Sequence, residues 1–294
     1  MNDRAISRVG LVAKERVDAA APVLVELAAW LEARGLEPVF ETYAAQLAGI
    51  TSREIKSKED LPHACQLIVL LGGDGTLIGM ARRVARAGAD VPIAGVNFGS
   101  LGFLTEITLD DLYPSLEGVL DGTAPIEERM MLHAKTMRGG RVFRDELVLN
   151  DVVITKAALS RIIELSVCIG ADRVMRVRAD GLIVATPTGS TAYNLAAGGP
   201  IVQPVVDALL LTPIAPHMLT NRPLVVTGTS TISVEPNMNG NDEVFVTFDG
   251  QSGHALQTDD VILIERAQRP LCLVRSAQRS YFDVLRQKLK WGER

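Results

Sequence analysis

The chain has 294 residues, 47% of them hydrophobic, and a net charge of −5, which suits two ordinary domains with a substantial core. A pI near 5.5 and only 4% aromatic residues argue against a basic nucleic-acid face or a base-stacking surface. Any anionic ligand must therefore be held by local arrangement rather than by overall charge.

Cys65, Cys168 and Cys272 are far apart, and no C-x-x-C occurs, so neither a zinc ribbon nor a disulfide framework is supported. They read as reduced core residues. The first residues, M-N-D-R-A-I-S-R, contain no apolar signal region. No uninterrupted apolar run approaches the roughly 18 to 20 residues that span a bilayer. The expectation is a soluble cytoplasmic protein without a membrane or nucleic-acid partner.

Taken in order, Arg8 to Ala13 predicts a strand, and Ala19 to Arg34 a helix with Val23, Leu24, Leu27, Trp30 and Leu31 at helical spacing and Gly35 as C-cap. Glu37 to Phe40 predicts a second strand. Glu41 to Asp60 is polar and reads as a surface loop or a partly mobile stretch. Leu67 to Leu77, L-I-V-L-L-G-G-D-G-T-L, is a buried-type strand running into a glycine turn, with a threonine able to cap the helix expected over Leu77 to Ala87. Val91 to Val96 predicts another strand, followed by N-F-G-S-L-G-F-L-T-E (Asn97 to Glu106) and a helix from Asp110 to Leu120. This β/α alternation predicts a doubly wound, mostly parallel sheet whose ligands collect at the carboxyl ends of the strands.

After Gly122 the texture changes to short β-branched segments: Met130 to Met137, Leu147 to Thr155, Ile162 to Ile169, Val174 to Val177, Leu182 to Ala185, Ser230 to Val234 and Val244 to Phe248. Gly139-Gly140, Asn239-Gly240 and Asp249-Gly250 punctuate them as turns. An all-β, sandwich-like domain over 124–271 is expected, after an α/β domain over 1–123. Ser276 to Trp291 predicts an amphipathic helix with Phe282, Leu285 and Leu289 on one face. It is expected to pack back on the first domain, which then includes 272–294.

Three constellations carry chemistry. In G-G-D-G-T (Gly72, Gly73, Asp74, Gly75, Thr76) a buried strand delivers open backbone N–H groups and one carboxylate, an arrangement suited to holding phosphates beside an acid. In Asp180 to Pro200, D-G-L-I-V-A-T-P-T-G-S-T-A-Y-N-L-A-A-G-G-P, Thr188, Ser190 and Thr191 can bond ligand hydroxyls or phosphates. There Gly189 admits close backbone approach, and Tyr193 offers a ring and a phenol. Asn150-Asp151 interrupts the apolar L-V-L-N-D-V-V-I. It is either a grip for a ribose diol or a plain turn or bulge. No G-x-x-x-x-G-K-[ST], G-x-G-x-x-G or H-E-x-x-H occurs, and His63, His133, His217 and His254 are scattered.

G-G-D-G-T, N-D and D-G-L-I-V-A-T-P-T-G-S-T-A-Y, in this order, resemble the NAD kinase family, and G-S-L-G-F-L-T-E and F-D-G-Q (Phe248 to Gln251) extend the resemblance over nearly the whole chain. Lipid kinases and phosphofructokinases carry similar glycine turns; the T-P-T-G-S-T-A-Y block separates this chain from them. The resemblance implies transfer of the ATP γ-phosphoryl group to the 2′-hydroxyl of the adenosine ribose of NAD, with a divalent metal (Mg2+ or Mn2+) and no protein ligand assigned to it. It implies Asp74 as the base, and NAD held by Asp74, Gly75, Asn150, Asp151, Arg161, Arg178, Asp180, Thr191, Ala192, Tyr193, Asn194, Ala196 and Gln251. The phosphates would lie on Gly72, Gly73, Gly75 and Thr76, and the assembly would be a homodimer or homotetramer.

Three positions depart from the family pattern: Asp151 stands where many relatives have Glu, Arg161 where some have His, and N-F-G-S (Asn97 to Ser100) where N-R-G-N is usual. No lysine adjoins the glycine turn, which places more of the charge neutralisation on the metal. A lipid or sugar kinase and a non-catalytic NAD or NADP sensor are the rival readings.

Overall fold

The computed structural model describes residues 6–99, 101–157, 162–218, 220–238 and 243–291. The chain divides into two compact units, Met1–Glu128 with Leu271–Arg294, and Arg129–Pro270.

The first unit runs β1 (Arg8–Ala13), α1 (Ala20–Glu32), β2 (Glu37–Glu41), α2 (Thr42–Ala48), β3 (Ile55–Lys56), α3 (Leu61–Ala64), β4 (Leu67–Gly72), α4 (Asp74–Arg86), β5 (Ile93–Asn97), α5 (Leu112–Leu120) and β6 (Ile126–Arg129). After the second unit, β19 (Leu271–Val274) and the last helix (Tyr281–Leu289) return to the first. Its sheet has the order β3-β2-β1-β4-β5-β19-β6, with β1 parallel to both β2 and β4, and β5 parallel to β4 and β19. β4 is buried at all six positions, which is why it reads as a continuous apolar run. On one face of the sheet Leu24, Leu27, Ala28 and Leu31 of α1 pack with Val9, Leu11, Val69 and Leu71.

Several sequence expectations are corrected here. The polar stretch 41–60 is ordered into α2, whose N-terminus is capped by the Glu41 side chain accepting from the Ala44 N–H at 3.2 Å, and into β3. The helix was illegible because its buried face consists of small alanines, Ala44 and Ala45. Helix α4 begins at Asp74 rather than Leu77, with Gly73 as N-cap, so Thr76 lies inside the helix instead of capping it. The last helix starts at Ser280, which forms a capping box with Asp283. Of the face expected from the sequence, Leu285 is buried and Leu289 half-buried, while Phe282 stays 51% exposed and Val284 is buried in its place.

The second unit runs β7 (Leu132–Arg138), β8 (Arg141–Val148), β9 (Asp151–Lys156), β10 (Ile163–Ile169), β11 (Asp172–Ala179), β12 (Gly181–Ala185), a 3-10 turn (Thr188–Thr191), α6 (Tyr193–Ala196), β13 (Ala208–Ile214), β14 (Leu224–Thr227), β15 (Ile232–Asn237), β16 (Val244–Phe248), β17 (Ser252–Ala255) and β18 (Val261–Arg266). The last helix, Tyr281–Leu289, is α7. Two six-stranded sheets form, β11-β10-β15-β18-β7-β8 and β14-β13-β12-β9-β16-β17. Their apolar faces meet in one core that includes Leu132, Leu165, Val234 and Ile262 from the first and Ile154, Leu182, Val184, Leu211 and Phe248 from the second. On the other face of the second sheet, Val153, Ile183, Ala185 and Leu210 pack beneath Ala197 and Val202. That double cover explains the unbroken apolar run of β12.

The expected single strand from Leu147 to Thr155 is two strands. β8 ends at Val148 at the edge of one sheet and β9 begins at Asp151 inside the other, so Leu149 and Asn150 form the crossing between sheets. The turn at Gly139-Gly140 joins β7 to β8, and that at Asp249-Gly250 joins β16 to β17; all four residues have positive φ. Asn239-Gly240 lies outside the described residues.

Candidate functional site

In the first unit the site is built at the carboxyl end of β4. Asp74 is the first residue of α4, where a negative side chain also suits the helix dipole. Its carboxylate does not turn back onto the N–H groups of its own glycine turn, as the motif alone suggested. It is received by the loop after β5. Oδ1 accepts from the Leu104 N–H at 3.1 Å, the Thr105 N–H at 2.9 Å and the Thr105 hydroxyl at 2.9 Å, while Oδ2 accepts from the Phe103 N–H at 2.9 Å. Asn97 Nδ2 donates to Thr105 Oγ1 at 3.0 Å, so the amide at the end of β5 fixes the hydroxyl that fixes Asp74.

Gly102 admits this close approach. A Cβ there would stand 2.0 Å from Asp74 Oδ1 and 2.4 Å from Thr105 Oγ1. At Gly73 and Gly75 a Cβ would meet nothing within 4 Å, so the protein's own packing does not require glycine at those two positions. Open space above a helix N-terminus is where an anion fits. A Cβ at Gly72 would instead meet the Cβ of Lys14 at 3.0 Å and the Thr76 hydroxyl oxygen at 3.2 Å. Lys14 is thus a neighbour of the glycine turn after all, brought there by the pairing of β1 with β4, although the sequence shows no lysine beside the motif.

In the second unit Asn150 and Asp151 stand where β8 gives way to β9. Asp249, at the β16–β17 turn, holds this crossing: its carboxylate accepts from the N–H groups of Leu149 (2.9 Å), Asn150 (2.7 Å) and Asp151 (3.2 Å), and its own N–H donates to the Asp151 carbonyl. Thr186 holds the other side. Its hydroxyl donates to the Leu149 carbonyl at 2.6 Å and accepts from the Gly189 N–H at 3.0 Å. Gly189 passes so close that a Cβ would lie 2.1 Å from the Asn150 carbonyl oxygen. The N-D pair and the T-P-T-G-S-T-A-Y block are therefore one structure, two facing turns locked backbone to backbone.

Asp151 is 5% exposed, and burial, with the Asp249 charge second, pushes its carboxyl up to about 7. The hydroxyl-rich block divides. Ser190 is committed internally, donating to the Val202 carbonyl and accepting from its N–H, so it is not the open donor the sequence suggested. Asn194 is fully buried, with its amide donating to the Ser190 and Pro200 carbonyls and accepting from the Thr212 hydroxyl at 2.6 Å. It supports the turn and presents no free atom. Thr191 and Ala192 are half-buried, and Tyr193 and Ala196 are exposed, Tyr193 by 47%. Asp180 lies 3.7 Å from Lys156 Nζ, Arg178 is exposed on β11, and Gln251 is exposed beside the Asp249 turn. Arg161 and Ser100 lie outside the described residues.

Thr105, Asn97, Asp249, Thr186 and Lys14 were not singled out from the sequence as site residues. The G-x-L-G-F-L-T and F-D-G-Q strings were the available signals for two of them. His63, His133, His217 and His254 join no metal-like cluster, since among the described residues no three His, Cys, Asp or Glu side chains are placed to hold an ion.

Comparison with known proteins bears on both units. The model of the ATP-NAD kinase N-terminal domain matches residues 9–124, and that of the ATP-NAD kinase C-terminal domain matches residues 149–276. The NAD kinase of Geotalea daltonii is 47% identical over 289 residues, covering 98% of this chain and 100% of that protein; that of Syntrophotalea carbinolica is 48% identical with the same coverage. Among solved structures, an Archaeoglobus fulgidus NAD kinase in complex with ATP has a TM-score of 0.75 at 25% identity, covering 95% of this chain and 99% of that one. Yeast NADH kinase complexed with NADH has a TM-score of 0.90, covering 99% and 90%; at 23% identity this likeness concerns the fold.

Proposed function

The chain belongs to the NAD kinase family, and from that membership we propose that it transfers the γ-phosphoryl group of ATP to the 2′-hydroxyl of the adenosine ribose of NAD, yielding NADP and ADP. The observation that carries the reading is the match to relatives of that name along the full length of the chain.

In the step proposed, the 2′-oxygen forms its bond to the γ-phosphorus while the bond to the β,γ-bridging oxygen breaks and leaves on ADP. The hydroxyl proton passes to Asp74. Oδ1 already accepts three hydrogen bonds and Oδ2 only one, so Oδ2 has the lone pair free to receive it. The loose transition state asks mainly for alignment and charge neutralisation, and a carboxylate fixed by four donors costs no reorganisation when the hydroxyl arrives. Gly73 and Gly75 leave the space in which phosphate oxygens meet the start of α4.

NAD is held, in this reading, by Asn150, Asp151, Arg178, Asp180, Thr191, Ala192, Tyr193, Ala196 and Gln251, with Asn194 shaping the turn from beneath; Arg161 completes the set on the resemblance alone. The pre-locked pair of turns favours this, since a ligand pays little ordering cost at a site already rigid. A divalent cation would travel with the triphosphate, its chemistry being to neutralise the β- and γ-phosphate oxygens, and no protein ligand is assigned to it. Three free cysteines suit a reducing cytoplasm. Exposed Val205, Val206 and Val225 on the second unit suit a homodimer or homotetramer. Incubating the protein with ATP and, in parallel, NAD, NADH, a diacylglycerol and a sugar phosphate tests the acceptor: NADP formation is expected, and phosphorylation of the lipid or sugar instead would replace this reading.

A further inference from the structure

The parallel sheet of the first unit changes direction once between neighbours that matter here. β1 has β2 on one side and β4 on the other, so the chain leaves β1 through α1 toward β2 and leaves β4 through α4 toward β5. The residues of α1 pack into the core on one face, in a cluster to which no residue of α4 belongs. Where consecutive crossovers part to opposite faces, the loops after the two strands open a crevice at their carboxyl ends, and ligands collect there. One wall of that crevice is the Gly73–Asp74–Gly75 turn. The other is the segment that follows β1, whose first residue is Lys14.

Lys14 is fixed by its backbone and free at its side chain. Its N–H donates to the Leu71 carbonyl at 2.8 Å, continuing the β1–β4 ladder to the edge of the glycine turn. Its Cβ stands 3.0 Å from where a Cβ on Gly72 would be. The side chain is exposed, and among the described residues it has no carboxylate partner; the next residue, Glu15, is paired with Lys58 instead. A lysine stem rooted beside the open space at Gly73 and Gly75, with its ammonium unspent, is a mobile point charge that can follow phosphate oxygens.

We propose that Lys14 binds the phosphates of the nucleoside triphosphate donor, supplying from the end of β1 the cation that the glycine turn itself lacks. This rests on the kinase reading above and adds the donor subsite to it. The charge on a triphosphate is then met by Lys14, by the start of α4 and by the accompanying divalent ion, and Asp74 stays free to deal with the acceptor.

The test compares wild type with Lys14→Met and Lys14→Arg in the full-length protein. Inorganic tripolyphosphate binding is measured by calorimetry without NAD, the KM values for ATP and NAD by steady-state assay, and folding by thermal melting. A charge-assisted contact to phosphate predicts that Lys14→Met weakens tripolyphosphate binding and raises the KM for ATP by about tenfold to a hundredfold. The KM for NAD and the melting temperature are expected to hold, and Lys14→Arg to restore most of the loss. Unaltered tripolyphosphate binding and KM for ATP in a wild-type-like Lys14→Met protein would overturn the assignment while NADP formation by wild type left the kinase reading intact. Failure of wild type to form NADP would remove the kinase reading itself.

Discussion

Thr105 donates both its backbone N–H and its hydroxyl to the same oxygen, Oδ1 of Asp74, each at 2.9 Å. The loop after β5 thereby decides how the carboxylate of α4 is oriented and which of its oxygens stays open. Replacing the hydroxyl with a methyl group in Thr105→Val keeps the shape and removes one donor to Asp74 and the acceptor for Asn97. A fall in kcat of about tenfold is expected, the worth of one hydrogen bond to a charged group. Thr105→Ser is expected to recover most of it, with the dissociation constant for NAD unchanged in both. Equal loss in the serine variant would make Thr105 a packing residue.

Gly102 and Gly189 should fail in different ways. Gly102→Ala drives a Cβ to 2.0 Å from Asp74 Oδ1, so kcat is expected to collapse while NAD affinity survives. Gly189→Ala drives a Cβ to 2.1 Å from the Asn150 carbonyl oxygen, so NAD affinity is expected to fall at least tenfold, with a stability cost of about 1–3 kcal/mol for the forced backbone shift. Steady-state kinetics on the first variant, and NAD calorimetry with melting curves on the second, separate the two outcomes.

Asp249 predicts a third pattern. Its carboxylate braces the proposed dinucleotide site through the N–H groups of Leu149, Asn150 and Asp151. In Asp249→Asn one carboxylate oxygen becomes an NH2 group facing N–H donors, so the crossing between β8 and β9 loosens. The KM for NAD is expected to rise about tenfold, as for loss of a charged hydrogen bond, while the KM for ATP stays level.

Asp151 predicts a pH dependence of stability. Burial and the Asp249 charge raise its folded-state carboxyl from 3.8 to about 7. A carboxyl raised on folding contributes stability that is complete below its unfolded value and lost as the pH climbs through the folded one. Across pH 4 to 7 the wild type therefore gives up as much as about 4 kcal/mol, at roughly 1.4 kcal/mol per unit. Asp151→Asn does not titrate and escapes this loss. Its denaturation midpoint is expected to gain on wild type as the pH rises from 5 to 8; a constant gap across that range would show that Asp151 ionises as it does in the unfolded chain.

Much of the architecture was legible because the apolar patterns are strong: β4 and β12 are buried throughout, and the change from α/β alternation to short β-branched segments lies a few residues ahead of Arg129, where the second unit begins, because β6 still joins the first sheet. What escaped were elements whose signal is small or shared. α2 hides behind alanines, and Leu147 to Thr155 reads as one strand because nothing apolar distinguishes the crossing at Asn150. In the site, G-G-D-G-T pointed to Asp74 but not to the atoms that hold it, since Phe103, Leu104 and Thr105 act largely through backbone N–H groups that carry no residue signature. Asn194 and Ser190 looked like ligand contacts because polar side chains in a loop read the same whether they face solvent or brace the turn. Lys14 became a neighbour of the glycine turn only through strand order.

The most direct measurement is NADP formation from ATP, Mg2+ and NAD by the purified protein and by Asp74→Asn, with NAD binding followed in the same samples by calorimetry. Wild type is expected to form NADP. Asp74→Asn is expected to bind NAD with similar affinity and turn over at least about a hundredfold more slowly, as loss of a positioned general base predicts. NADP formation by Asp74→Asn at a near-normal rate would remove Asp74 from the reaction, and NAD binding by wild type without any product would make the chain a sensor rather than a kinase.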